Sequence, residues 1–273
     1  MRLILSLILY ISIIGAVAAE PKAKTYTSME EALKNPTAVK DLSLRGKNLN
    51  TIPESIALLT HLEKLDLSYN NLTQVPTAIF KLTQLQSLLL NNNAIAKLPP
   101  TMNELKSLTT LRLDFNPIVS PNEELKKLAG LTSLSVLNFA ANKVSVVPKE
   151  LLTLTNLTDL DLGYGAIKTL PDSIHQLKNL KRLVLTKNTI LNFPPTFFKL
   201  KQLQNLDLSY NDLKSLPAEF STLPAIEIID LSYNKNLMTI PAISGMRYIN
   251  VKNTKLNIDK LKWALGESCT ILM

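Results

Sequence analysis

Leu62-Glu63-Lys64-Leu65-Asp66-Leu67-Ser68-Tyr69-Asn70-Asn71-Leu72-Thr73-Gln74-Val75-Pro76-Thr77-Ala78-Ile79-Phe80-Lys81-Leu82 is the stretch on which the fold turns. In its first half, apolar Leu65 and Leu67 alternate with polar Lys64, Asp66 and Ser68, the period of a strand with one buried face. Its second half sends Leu72, Val75, Ile79 and Leu82 inward while Pro76 forbids a long helix, so it must bring the chain back as a short 3-10 or single-turn piece. The frame returns at Leu85, Leu108, Leu134, Leu157, Leu180, Leu203 and Ile226, with weaker copies from Val39 and Met246. Copies in register stack their strands side by side and in parallel, about 4.8 Å apart.

This pattern, L-x-x-L-x-L-x-x-N-x-L followed by a proline-containing return, resembles the leucine-rich repeat over residues 39–257. The resemblance implies an α/β fold: a curved solenoid of about ten repeats, with a parallel β-sheet on its concave face. Short 3-10 or helical returns form the convex face, and helical caps close the ends. Prolines 53, 99, 148, 171, 194, 217 and 241 recur at or near the place of Pro76.

Asn70, Asn93, Asn116, Asn142, Asn188, Asn211 and Asn234 end successive strands. A carboxamide both donates and accepts, so a column of them can satisfy backbone groups of buried turns that would otherwise cost roughly 1–3 kcal/mol each. Gly165 stands where this asparagine is due, which predicts a missing rung and a looser turn. The copy from Leu108 is longer than the others. Its Ser120-Pro121-Asn122-Glu123 has capping-box spacing and predicts an α-helix from about Pro121 to Ala129.

Four segments follow. Residues 1–19 read as a signal peptide: a positive Met1-Arg2, an apolar Leu3–Val17 and a small-residue exit at Ala18-Ala19. If the segment were retained it would anchor the chain, which is the one way membrane contact is expected. Residues 20–38 form a front cap whose helix begins at Ser28-Met29-Glu30-Glu31 and stops at Asn35-Pro36. Residues 39–257 are the repeats. Residues 258–273 form a rear cap, a helix from Asp259 to Leu265 burying Leu261, Trp263 and Leu265, then a last strand near Ile271.

Composition excludes more than it identifies. The 273 residues carry 30 basic and 22 acidic side chains, a net charge of +8. Lysines such as Lys81, Lys106, Lys178 and Lys199 fall one or two per repeat on the returns, a solvated face and not a stripe that tracks phosphates, so nucleic acid is not an expected partner. Cys269 is the single cysteine, read as a buried packing residue, and no intramolecular disulfide can form. His61 and His175 lie about five repeats apart, roughly 24 Å at 4.8 Å each, too far to share a metal or a proton. No phosphate loop, zinc cluster or nucleophile elbow occurs. The chain is read as no enzyme, with no cofactor, metal or small-molecule substrate.

Side chains alternating with the core leucines face the concave side. Its middle slot reads Ser43, Asp66, Leu89, Arg112, Asn138, Asp161, Val184, Asp207, Asp230 and Asn250, and flanking slots add Val136, Arg182, Ile228 and Tyr248. Leu89, Val136, Val184 and Ile228 are apolar where small polar residues are usual, which predicts exposed partner contacts. Tyr69, Phe115, Tyr164, Tyr210 and Tyr233 form an aromatic column behind the strands, suited to interfaces or to covering the asparagine turn. The expected partner-binding patch is Asp161, Tyr164, Asp207, Tyr210, Asp230 and Tyr233, with Arg112 beside it, and its expected ligand is a protein segment of some basic character.

Leu98-Pro99-Pro100-Thr101-Met102 and Leu170-Pro171-Asp172-Ser173-Ile174 resemble bacterial leucine-rich-repeat proteins of the L-P-x-x-I type. The front segment Ser28–Pro36 resembles that of secreted relatives in Gram-negative bacteria. That resemblance implies a non-catalytic scaffold recognising a protein partner, secreted, periplasmic or at the cell surface. Two alternatives stay open: a cell-surface adhesin stacking glycans on the tyrosines, and an intracellular regulatory scaffold engaging a small GTPase.

Overall fold

The computed structural model describes residues 24–266 and 268–273, so the expected signal peptide and cleavage point lie outside the described residues. The strands, each two or three residues, are β1 (Thr25–Tyr26), β2 (Asp41–Ser43), β3 (Lys64–Asp66), β4 (Ser87–Leu89), β5 (Thr110–Arg112) and β6 (Val136–Asn138), then β7 (Asp159–Asp161), β8 (Arg182–Val184), β9 (Asn205–Asp207), β10 (Ile228–Asp230), β11 (Tyr248–Asn250) and β12 (Thr270–Leu272). They form one sheet in chain order, every neighbouring pair parallel. Register repeats without slippage: Leu65 faces Leu88, Leu88 faces Leu111, and the series runs on through Leu206 to Ile229 and Ile249. One-residue slips would turn the whole leucine row to solvent, which is why the register holds.

The returns are five-residue 3-10 turns, Glu54–Leu58, Thr77–Lys81, Pro100–Glu104, Lys149–Thr153, Asp172–Gln176, Pro195–Lys199 and Ala218–Thr222. A proline sits immediately before each, with φ between −62° and −71°, the value its ring imposes and the one that starts the turn. Their inward residues join the strand leucines in a single apolar core that runs from Ala32 to Cys269. Late in the array Phe193, Phe197, Phe198 and Phe220 supply an aromatic knot, with ring centroids 4.8–5.9 Å apart.

The asparagine ladder forms as expected. Asn211 is representative: its Oδ1 accepts from the Ile190 N–H at 2.8 Å, and its Nδ2 donates to the carbonyls of Leu185 at 2.9 Å and Leu208 at 3.0 Å. Each rung therefore ties its own turn to the one before. Asn142 is incomplete, since its buried Oδ1 has no partner among the described residues. In the regular rungs this oxygen takes the N–H two residues beyond the preceding asparagine, and here that N–H, of Ile118 after Pro117, does not bond it.

Gly165 corrects the looser-turn expectation. A Cβ there would stand 2.5 Å from the Val144 carbonyl oxygen and 2.6 Å from Asn188 Oδ1, while Ala166 N–H donates to that same Val144 carbonyl at 2.7 Å. The turn is drawn in against the preceding repeat, and the rung is replaced by close backbone approach.

The caps and the long return differ from expectation in three places. Helix α1 (Met29–Leu33) is capped by Ser28 Oγ, which accepts from Glu31 N–H at 3.1 Å, but β1 precedes it and begins the sheet one strand earlier. Helix α2 (Pro121–Lys126) is shorter than the expected span to Ala129, and Ser120 makes no side-chain cap because its φ of 54° is left-handed. Glu124 provides the anchor instead: its buried carboxylate accepts from Leu98 N–H at 2.7 Å and pairs with Lys127 at 2.8 Å. Helix α3 (Ile258–Leu265) starts at Asn257, whose side chain accepts from Lys260 N–H at 3.0 Å. It buries Leu261 and Leu265, whereas Trp263 is 89% exposed, because it lies on the opposite side of the helix from those two. Cys269 is buried, and β12 pairs with β11 as the last strand.

Candidate functional site

The sheet places middle-slot side chains of consecutive strands side by side, and between β5 and β11 they floor a groove of about 810 Å³. Asp161, Val184, Asp207, Asp230 and Asn250 follow one another in register across it. The aspartates hold their own backbone. Asp207 Oδ1 accepts from the N–H of Ser209 at 2.9 Å and from its hydroxyl at 2.6 Å, and Asp230 does the same with Ser232 at 2.8 and 2.6 Å. Asp161 takes only the Gly163 N–H, at 3.0 Å. Where this slot bonds its own turn it uses a carbonyl-type oxygen and no charge is required, since Asn138 caps Ala140 N–H at 3.0 Å in the same manner.

One oxygen of each aspartate is thus committed to the turn. Asp230 Oδ2 receives Asn250 Nδ2 at 2.9 Å. Among the described residues no ion pair reaches Asp207 or Asp230, while Arg112 is forked onto Asp114 by two bonds of 3.0 Å. Burial pushes the Asp207 carboxyl up to about 6, and the neighbouring Asp230 charge adds to it against the opposing Ser209 bonds. Burial likewise raises Asp161, opposed by Gly163 N–H and the nearby Arg182. Tyr248 is raised by burial and then by Asp230.

The aromatic column runs along one rim. Tyr69, Asn92, Phe115, Ala141, Tyr164, Lys187, Tyr210 and Tyr233 occupy one repeat position, all with φ between 51° and 60°. Left-handed backbone costs a non-glycine residue about 1–2 kcal/mol. It persists because each N–H there still bonds the next repeat, as Tyr210 to Ser232 O at 2.8 Å. Tyr210 and Tyr233 stack with centroids 4.0 Å apart and planes 7° from parallel. Lys187 Nζ lies between Tyr164 and Tyr210, 4.5 and 5.3 Å from their centroids.

Of the sequence-derived residues, Asp161, Tyr164, Asp207, Tyr210, Asp230, Tyr233, Arg112 and Ile228 come together in the groove. Leu89 and Val136 are half-buried on β4 and β6 and do not line it. Val184 corrects the expected exposure: at 5% it is buried, its short side chain closed over between Asp161 and Asp207 in register. Sequence reasoning overlooked Lys187 and Asp114. Lys187 stands 23 positions after Tyr164, so the repeat register alone was enough to place it in the tyrosine column. Among the described residues no group of three His, Cys, Asp or Glu side chains converges to hold a metal, and no helix is long and apolar enough to cross a membrane.

Comparison with known proteins agrees with this architecture. A family described as leucine-rich repeat region matches residues 24–143, and a second, leucine rich repeat, matches 132–190 and 178–235. No curated protein matches the sequence. Among solved structures, the leucine-rich-repeat domain of the type III effector XopL is similar at a TM-score of 0.65 and 26% identity, over 77% of this chain and 76% of that one. An internalin from Listeria monocytogenes is similar in fold at a TM-score of 0.63 and 19% identity, over 88% of this chain and 81% of that one. With the twelve-stranded parallel sheet, the 3-10 returns and two repeat families spanning residues 24–235 between them, the chain is a leucine-rich-repeat protein.

Proposed function

We propose that the chain is a non-catalytic scaffold that docks a protein partner on its concave face, centred on Asp161, Asp207 and Asp230 and rimmed by Tyr164, Tyr210 and Tyr233. One observation carries the reading: Asp207 and Asp230 sit in register on adjacent strands, and among the described residues no cation is paired to either. Two like charges about 5 Å apart in a groove are relieved by an arriving cation, so the partner presents a lysine or arginine there. Ring edges and hydroxyls of the tyrosines supply amphipathic contact beside it. Export, by way of the apolar Leu3–Val17 segment, belongs to the same proposal, and a mature N-terminus at Glu20 in exported fractions would support it over an intracellular GTPase scaffold.

Glycan stacking is less favoured. Tyr210 has Tyr233 stacked on one face and Lys187 over the ring, which leaves its edge and not its plane for a sugar. The test is crosslinking in the native cell, followed by affinity measurement on Asp207→Asn/Asp230→Asn and Tyr164→Ala/Tyr210→Ala. Asparagine is used because alanine would also break the turn. Unchanged affinity in both folded variants would refute the assignment.

A further inference from the structure

A second surface lies immediately after the asparagine ladder, on the flank where the chain leaves the sheet. Backbone bonds keep its positions in register: Val119 N–H to Ala96 O at 2.8 Å, Leu191 N–H to Lys168 O at 3.1 Å and Met238 N–H to Lys214 O at 3.0 Å. The strip therefore spans roughly 25–30 Å at about 4.8 Å per repeat. Val119, Val146, Leu191 and Met238 are more than half exposed along it, at 53–58%. Interspersed with them are the exposed Lys97, Lys143, Lys168, Lys214 and Lys235, against the single acid Asp212. Among the described residues none of these lysines is in an ion pair.

A dent of about 400 Å³ opens in the middle of this strip, walled by Val146, Val147, Leu170 and Pro171 with Lys168 at its side. Ala166 lines it with a bare methyl where neighbouring repeats carry Lys143 and Thr189. Val147 and Leu170 floor it as buried core residues while Val146 stands exposed at its edge. An apolar dent flanked by lysines that are in no ion pair among the described residues is a surface with complementary needs: one bulky apolar side chain and several carboxylates.

We infer that this flank is a second docking surface, taking an acidic protein segment whose bulky apolar side chain seats between Val146 and Leu170. The Asp207–Asp230 pair of the groove and the lysines of the flank lie on different faces, so, if the concave reading holds, the scaffold can join a partner that presents a cation to an acidic one.

The test pans a random twelve-residue phage-displayed peptide library on the immobilised full chain. Selected peptides are expected to carry several Asp or Glu around one Phe, Trp or Leu. They should bind Lys143→Glu/Lys168→Glu and the dent-filling Ala166→Leu about tenfold more weakly, yet bind Asp207→Asn/Asp230→Asn as the wild type does. Circular dichroism confirms that each variant folds. A pool without acidic enrichment, or peptides indifferent to Ala166→Leu, overturns the inference. Binding to phosphatidylserine vesicles that is lost with the lysine variants but not with Ala166→Leu, in the absence of such peptides, overturns it in favour of a lipid surface. Loss confined to the Asp207/Asp230 variant assigns the peptides to the groove, leaving the concave reading intact and this one refuted.

Discussion

Replacing Asp207 by asparagine should make the protein more stable at neutral pH and leave it unchanged in acid. A carboxyl raised from 3.8 to about 6 favours the protonated, folded form. Its stabilising contribution is complete below about pH 4 and lost as pH climbs through 6, because the unfolded chain ionises the group more readily. At 1.36 kcal/mol per unit, the ionised side chain weakens the fold by at most about 3 kcal/mol above pH 7. Asparagine removes that charge and keeps an oxygen for Ser209 N–H, as Asn138 already does for Ala140 at 3.0 Å. Urea denaturation of both proteins at pH 4, 5, 6 and 7.5 should show curves that coincide in acid and part by about 2 kcal/mol at pH 7.5. Asp230 is coupled to Asp207 by charge on the adjacent strand, so the difference reports Asp207 together with that coupling. The 13C shift of its carboxyl carbon should titrate near 6. A midpoint close to 4, or an asparagine variant less stable at pH 7.5, would refute the reasoning.

Restoring the family residue at Gly165 should harm the protein: Gly165→Asn or Gly165→Ala forces a Cβ to within 2.5 Å of the Val144 carbonyl, with an expected loss of about 1–3 kcal/mol in thermal unfolding. Asn211→Ala should cost more than Asn142→Ala by about 1 kcal/mol, since Asn211 Oδ1 is bonded and Asn142 Oδ1 is not; equal losses would mean that the ladder does not work through these bonds. Ala141→Gly should stabilise by about 0.5–1 kcal/mol, because a residue at φ 58° is relieved by losing its Cβ; a lower melting temperature would contradict that account.

The sequence carried the repeat frame, the parallel sheet, the 3-10 returns and the asparagine ladder, because each depends on a residue type recurring at a fixed interval. Asp161, Asp207 and Asp230 with their tyrosines were legible for the same reason: register alone puts Asp207 and Asp230 on adjacent strands and Asp161 two strands from Asp207 in the same row. Departures came where one local rule competed with packing. Ser120 has the spacing of a capping box, but the turn before it left Ser120 left-handed, and Glu124 took over the anchoring from within the helix. Trp263 looked like core by its chemistry, yet Leu261 and Leu265 filled the inner side of that helix. Gly165 looked like an omission and proved to be a close contact.

Periodicity along one dimension thus determined which residues become neighbours, since a stacked repeat converts sequence interval directly into distance. Only the tertiary structure decided how those neighbours share space. It sank Val184 between two aspartates, left Asp207 and Asp230 in no ion pair among the described residues, slid Lys187 between two tyrosines and opened a dent beside Val146. Such outcomes rest on side-chain volume, desolvation and unmatched charge summed over three or more repeats at once, quantities that no single repeat contains.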